Sequence, residues 1–287
     1  DVDRAANNVL RVIDIVRPKQ RPLVAKGCEK PLVRPPCNAA GIHGSDGLGE
    51  LHQFQNADGS PRYPQLTVQP SGESAIDVLL KAAKEYGGEL TIVTIGPLTN
   101  IATALLRDRA TMQKVGSIVI MGGAVKVPGN MSAAAEFNFF VDPDAAQIVM
   151  ESGIPLTLVG LDVTMKVCLK RKDVEDYARK HPSAVAQFIV DCTGIYMAFH
   201  RDNEGFDGCY LHDPLAVGVA IDPSLVSTRG MYMVVETEGK FTSGMSLADL
   251  RDRRDESTFP PNVEACFDVD ADRFLKLFYE LIYPQHG

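Results

Sequence analysis

Tryptophan is absent from the 287 residues, so any aromatic surface offered to a ligand must come from Phe, Tyr or His. No C-x-x-C pair occurs among Cys28, Cys37, Cys168, Cys192, Cys209 and Cys266. In a chain this long, buried free thiols in a reducing compartment are expected rather than a disulfide framework. No stretch approaches the roughly 18 apolar residues that cross a bilayer, and the opening residues carry no basic-then-apolar pattern. A cytoplasmic protein that does not enter a membrane is therefore expected. The Gly-rich segment His43-Gly-Ser-Asp-Gly-Leu-Gly49 lacks the Lys-Ser/Thr of a phosphate loop, and no G-x-G-x-x-G occurs. Phosphate cradling, and with it a small-molecule kinase, is disfavoured. Basic residues are outnumbered, 29 against 37 acidic, for a net charge of −8. Nucleic acid and anionic lipid both reward basic patches, so neither is expected as the main partner.

What is present is an ordinary globular composition, 45% apolar and 23% charged, enough for one large α/β domain. Val9, Val12, Ile13 and Val16 recur at helical spacing, and Pro22–Ala25 reads as a short strand. Residues 34–72 hold Pro, Gly, Asn and Asp with little periodicity and read as a long loop region. Ser74 is placed to cap a helix whose apolar face is Ile76, Leu79, Leu80 and Ala83. Strands follow at Leu90–Ile95, Ser117–Met121 and Leu156–Leu161, with helices at Thr99–Arg107 and Asp142–Glu151. Later helices are expected at Lys172–Lys180, Ser183–Phe199, Leu215–Ile221 and Ala271–Tyr283, and strands at Met231–Glu236 and Val263–Val269. Arg251–Asp255 is charge-balanced and reads as a solvated loop. The alternation predicts an α/β fold with an open, mostly parallel sheet covered by helices on both faces. No repeat or linker interrupts it, so 1–287 is taken as one domain.

In such sheets, ligands bind beyond the carboxyl ends of the strands. The post-strand segments are 96–100, 122–138 and 162–164, and Leu211-His212-Asp213-Pro214 precedes a further helix. Within the second, Asn130, Glu136 and Asn138 sit among Ala and Phe. Buried polar groups cost about 1–3 kcal/mol each unless paired, so the cluster suits a polyhydroxylated ligand such as a sugar. The competing interpretation is a polar loop leading into a helix at Asp142-Pro143. Likewise Asp213 is either a ligand-facing carboxylate or a helix cap followed by Pro at the first helical position.

Five motifs, His43-Gly-Ser-Asp-Gly-Leu-Gly49, Ile95-Gly-Pro-Leu-Thr-Asn100, Met121-Gly-Gly, Gly129-Asn130 with Ala135-Glu136-Phe-Asn138 and Asp142-Pro, and His212-Asp213-Pro, occur in one order along nearly the whole chain. In that order they resemble the inosine–uridine-preferring nucleoside hydrolases. The resemblance implies Ca²⁺-dependent hydrolysis of the N-glycosidic bond of ribonucleosides by a homodimer or homotetramer. It implies that Asn130, Glu136 and Asn138 hold the ribose hydroxyls, and that Asp213 and the Ile95 carbonyl bind Ca²⁺. It also implies that His212 acts on the leaving base and that His43, Tyr196 and His200 line the base pocket. Glu204 stands about where some relatives carry Tyr. The family's opening strand and Asp-rich loop, D-x-D-x-G-x-D-D, have no match. Asn7-Asn8-Val-Leu-Arg-Val aligns with the family's first long helix, so the chain is expected to begin roughly forty residues late, as a partial record of a longer enzyme. The alternatives are a non-catalytic ribonucleoside-binding relative or a truncated inactive form.

Overall fold

The computed structural model describes residues 1–37, 40–251 and 259–282. The last residue of the expected closing helix, Tyr283, and most of the expected loop at Arg251–Asp255 lie outside them. Helix α1, Val2–Val16, starts where the Asp1 carboxylate accepts from the Arg4 amide and buries Ala6, Leu10 and Ile13. Helix α2, Ala75–Tyr86, is capped by Ser74 as its sequence predicts. Strand β1 (Thr91–Thr94), helix α3 (Thr99–Arg107), strand β2 (Ser117–Met121), helix α4 (Pro143–Met150) and strand β3 (Leu156–Val159) then alternate. After them come the long helix α5 (Ala184–Glu204), helix α6 (His212–Ile221), strands β4 (Val226–Met231) and β5 (Val263–Val269), and helix α7 (Ala271–Ile282).

The five strands lie in the order β1-β2-β3-β5-β4. The first four run parallel and β4 is antiparallel to β5. Successive strand residues point to opposite faces, and on β2 that alternation feeds two cores. Ile118 and Ile120 pack with Leu98, Leu105 and Phe139 on one face, and Val119 and Met121 pack with Leu161, Leu215 and Phe274 on the other. Burial on both faces is why β2 reads as a continuous apolar run.

Three expected elements are redrawn. The strand at Pro22–Ala25 moves to Ala25–Lys26, paired with Ser71–Ser74, since Pro22 has no N–H to give a ladder. Only Met231 of the expected strand Met231–Glu236 lies in the main sheet, as the last residue of β4, whose residues 226–230 the sequence does not predict as strand. β4 ends at Met231, and Met233–Val235 pairs instead with Ser246–Ala248. The Asn262 side chain lies between them, accepting from the Met233 amide at 2.8 Å and donating to the Met233 carbonyl at 2.8 Å. Helix α5 runs on past Phe199 to Glu204, where Gly205 at φ 68° closes it.

Candidate active site

The carboxyl ends of β1, β2 and β3 carry the expected polar segments. After β2 the chain makes a tight loop, 122–138, tied down by carboxylates. Both Asp162 oxygens accept backbone amides, from Val125 and Lys126, each at 2.8 Å. Glu136 is buried and caps the short helix Phe137–Val141, its Oε2 accepting from the Gly123 amide at 3.0 Å and the Phe139 amide at 3.2 Å. Burial pushes its carboxyl up to about 7, against the pull of those amides. Asn138, also buried, donates from Nδ2 to the Met121 carbonyl at 3.1 Å. Asn130 is exposed, and its Oδ1 accepts from the Phe137 amide at 2.9 Å. Each of the three residues therefore spends polar atoms on shaping the loop. Asn138 Oδ1 and Asn130 Nδ2 have no hydrogen-bond partner among the described residues.

His212 opens α6. Its Nδ1 lies 2.7 Å from the hydroxyl of the fully buried Thr164. Burial, and then the neighbouring His200 and His43, push the imidazole down to about 4, so it is neutral at pH 7. The three histidines belong to one chain of rings. His43 lies 4.8 Å from Tyr196, Tyr196 4.6 Å from His200, His200 5.0 Å from Tyr210, and Tyr210 5.7 Å from His212, centroid to centroid. The structure thus brings together His43, Tyr196, His200 and His212 from three separated segments. His200 is only 4% exposed. Glu204 Oε1 lies 3.2 Å from its Nδ1 but off the line of a hydrogen bond, and neither ring nitrogen has a hydrogen-bond partner among the described residues.

Asp213 follows His212 inside the first turn of α6. The Leu211 carbonyl, not Asp213, stands at the helix cap and accepts from the Leu215 amide at 3.1 Å. The capping interpretation of Asp213 is therefore set aside. Burial alone raises its carboxyl to about 6. Helix α6 packs against β1, the strand that ends just before Ile95. These oxygen donors are of the kind a hard cation takes. Ile95 also borders a cavity of about 970 Å³ along the outer edge of β1, lined by Val2, Leu23, Ile92 and Val93. That cavity meets the candidate site through Ile95 and does not include the ring chain. A separate trio, Asp46, Glu50 and His52, has metal-like spacing. Its carboxylates already accept the backbone amides of Leu48, Glu50, Leu51 and Ser45. Thr164 and Tyr210 received no role from the sequence, because what distinguishes them is contact with His212 across 48 residues and, from the strand Gly208–Tyr210, with His200 of α5.

The family model described as inosine-uridine preferring nucleoside hydrolase matches residues 1–276. A pyrimidine-specific ribonucleoside hydrolase, RihA, of Klebsiella pneumoniae (strain 342) is 36% identical over 276 residues, covering 96% of this chain and 84% of that protein. Among solved structures, a purine-preferring ribonucleoside hydrolase from Gardnerella vaginalis superposes with a TM-score of 0.86 at 33% identity, over 98% of this chain and 85% of its own. The plant nucleoside hydrolase PpNRh1 gives a TM-score of 0.86 at 32% identity, over 99% and 87%.

Proposed function

The chain belongs to the inosine-uridine preferring nucleoside hydrolases, enzymes that cleave the N-glycosidic bond of ribonucleosides, and from that premise we propose how its own residues serve the reaction. Asn130, Glu136 and Asn138 hold the ribose hydroxyls. Carboxamides both donate and accept, and a carboxylate accepts. The uncommitted atoms Asn138 Oδ1 and Asn130 Nδ2 support that assignment. His212 serves the leaving base. With the Thr164 hydroxyl donating to Nδ1, the imidazole carries its proton on Nε2. That N–H donates a hydrogen bond to the base nitrogen as the C1′–N bond breaks, and the proton that ends on the base is the one released by the attacking water. The bond's electron pair leaves with the base, and water adds to C1′. His43, Tyr196 and His200 enclose the base. The observation that carries this proposal is the continuous chain of rings from His43 through Tyr196, His200 and Tyr210 to His212.

Asp213 and the Ile95 carbonyl would hold Ca²⁺, which when bound supplies an acidified water and a grip on the ribose diol. The base preference is pyrimidine or mixed. Relatives of opposite preference match the chain, and an indole platform is absent. The chain works as one domain, since both cores share β2 and β3. It acts as a homodimer or homotetramer in the cytoplasm, where its six free thiols stay reduced.

The test is release of free base from uridine and inosine, with and without chelator. Chelator-sensitive release is expected, and Asp213→Ala should remove both the chelator sensitivity and most of the rate. Release that ignores chelator, or an unchanged rate in Asp213→Ala, takes Asp213 out of a metal site. No release from either nucleoside overturns the catalytic proposal.

A further inference from the structure

The ring chain depends on two pieces of backbone far apart in sequence, the short helix Ala40–His43 and α5. Helix α5 carries Tyr196 and His200. What fixes one against the other is a buried carboxylate of α5 that makes no hydrogen bond to any of these rings. Asp191, 5% exposed, lies on α5 five residues before Tyr196. Its Oδ2 accepts from Arg62 Nη1 at 2.7 Å and from the Tyr63 hydroxyl at 2.8 Å, and its Oδ1 accepts from Gln187 Nε2 at 2.8 Å. Arg62 in turn closes its own loop, donating from its amide to the Phe54 carbonyl at 2.9 Å and from Nη2 to the Gln55 carbonyl at 3.1 Å. The Tyr63 ring meets Phe188 of α5 edge-on at 6.0 Å.

The same loop touches α5 directly at Gly49. There φ is 78°, and a β-carbon would stand 2.7 Å from the Cys192 carbonyl oxygen. Only glycine meets both demands. The Gly49 amide then donates to the His43 carbonyl at 3.0 Å, and the His43 ring lies on Tyr196. The path is continuous: carboxylate clamp, backbone seat, His43, Tyr196, His200. An ion pair whose carboxylate is buried and whose guanidinium is half-buried is a poor source of net stability but can fix register. Nothing about holding a ribose requires it.

We propose that Asp191 is a positioning residue for the base end of the site. It clamps the 44–64 loop to α5 through Arg62 and Tyr63, and so sets the spacing between His43 and the Tyr196–His200 face. This rests on the assignment of those rings to the base. The clamp and that assignment fail separately under two measurements on the full chain and on Asp191→Asn and the milder Tyr63→Phe. The first is hydrogen exchange by mass spectrometry. Amides of residues 47–64 should exchange at least about tenfold faster in Asp191→Asn, with those of β2 unchanged as a control for folding. Unchanged loop exchange overturns the clamp whether or not the protein is an enzyme.

The second measurement compares uridine and inosine with p-nitrophenyl ribofuranoside, whose leaving group needs no base recognition. KM for the nucleosides should rise several-fold in both variants, with kcat/KM for the aryl riboside held within about twofold. Equal losses on both substrate types would reduce Asp191 to a general structural role and overturn the proposal. Hydrolysis of neither substrate by the unsubstituted protein would defeat the hydrolase assignment, and the exchange result would still decide the clamp.

Discussion

Glu136 concentrates the tension between holding a loop and holding a ligand. Its carboxyl is raised from 4.5 to about 7 by burial, with backbone amides opposing the shift. Between those two values the folded chain binds more protons than the unfolded chain. This group's contribution to stability is therefore complete below pH 4.5 and is lost as pH rises through 7. Glu136→Gln carries no titrating proton and should remove that slope. Urea midpoints measured at pH 5 and pH 7.5 should differ less in the variant than in the parent, and an equal difference would mean that Glu136 ionises as it does in the unfolded chain. The oddity of Asn130, Glu136 and Asn138 among Ala and Phe was legible in the sequence. Their partners were not, because the Met121 carbonyl and the Gly123 and Phe137 amides reach them through folded loop geometry. Nor could sequence decide between cap and ligand for Asp213. The structure excludes the cap, since the Leu211 carbonyl, two residues earlier, closes the first turn of α6.

Elements were legible where burial is symmetric and periodic. Ser117–Met121 and Val263–Val269 have the bounds the sequence predicts, the first because both its faces are buried. Boundaries slipped where one side chain took over a backbone partner, as Asn262 does beside Met233, or where the residues that extend a helix are polar, as Arg201–Glu204 are. Asp142 shows how much such a side chain can carry. Fully buried, it caps α4 through the Ala145 amide at 3.0 Å. Its other oxygen accepts from the Thr99 hydroxyl of α3 at 2.7 Å and the Leu32 amide at 2.9 Å. Asp142→Ala removes a helix cap, worth about 1 kcal/mol, and leaves a buried hydroxyl and a part-buried amide unpaired at about 1–3 kcal/mol each. A loss of about 3–7 kcal/mol is expected, read as a lower urea midpoint at unchanged slope. Asp142→Asn keeps one acceptor oxygen and should lose less. A loss under about 1 kcal/mol would mean that water replaces all three bonds.

For the whole molecule the question is whether the two faces of the sheet stand or fall together. Neighbouring residues of one strand supply both cores, Ile120 beside Val119 and Leu158 beside Val159. A face cannot loosen without disturbing strands that the other face packs on. Leu105, 2% exposed, represents one face. Phe274, 2% exposed, represents the other, so close to α6 that a β-carbon on Gly218 would stand 2.5 Å from its ring. Truncation to Ala costs about 2–5 kcal/mol for a buried Leu and about 3–5 kcal/mol for a buried Phe. If the chain is one domain, Leu105→Ala and Phe274→Ala each shift a single urea transition, with circular dichroism and tyrosine emission coincident. Because the two residues belong to separate clusters, the double variant should lose about the sum of the two. A biphasic curve in either single variant, with one phase left at the parent midpoint, would divide the sheet's faces into separately folding units and end the one-domain proposal.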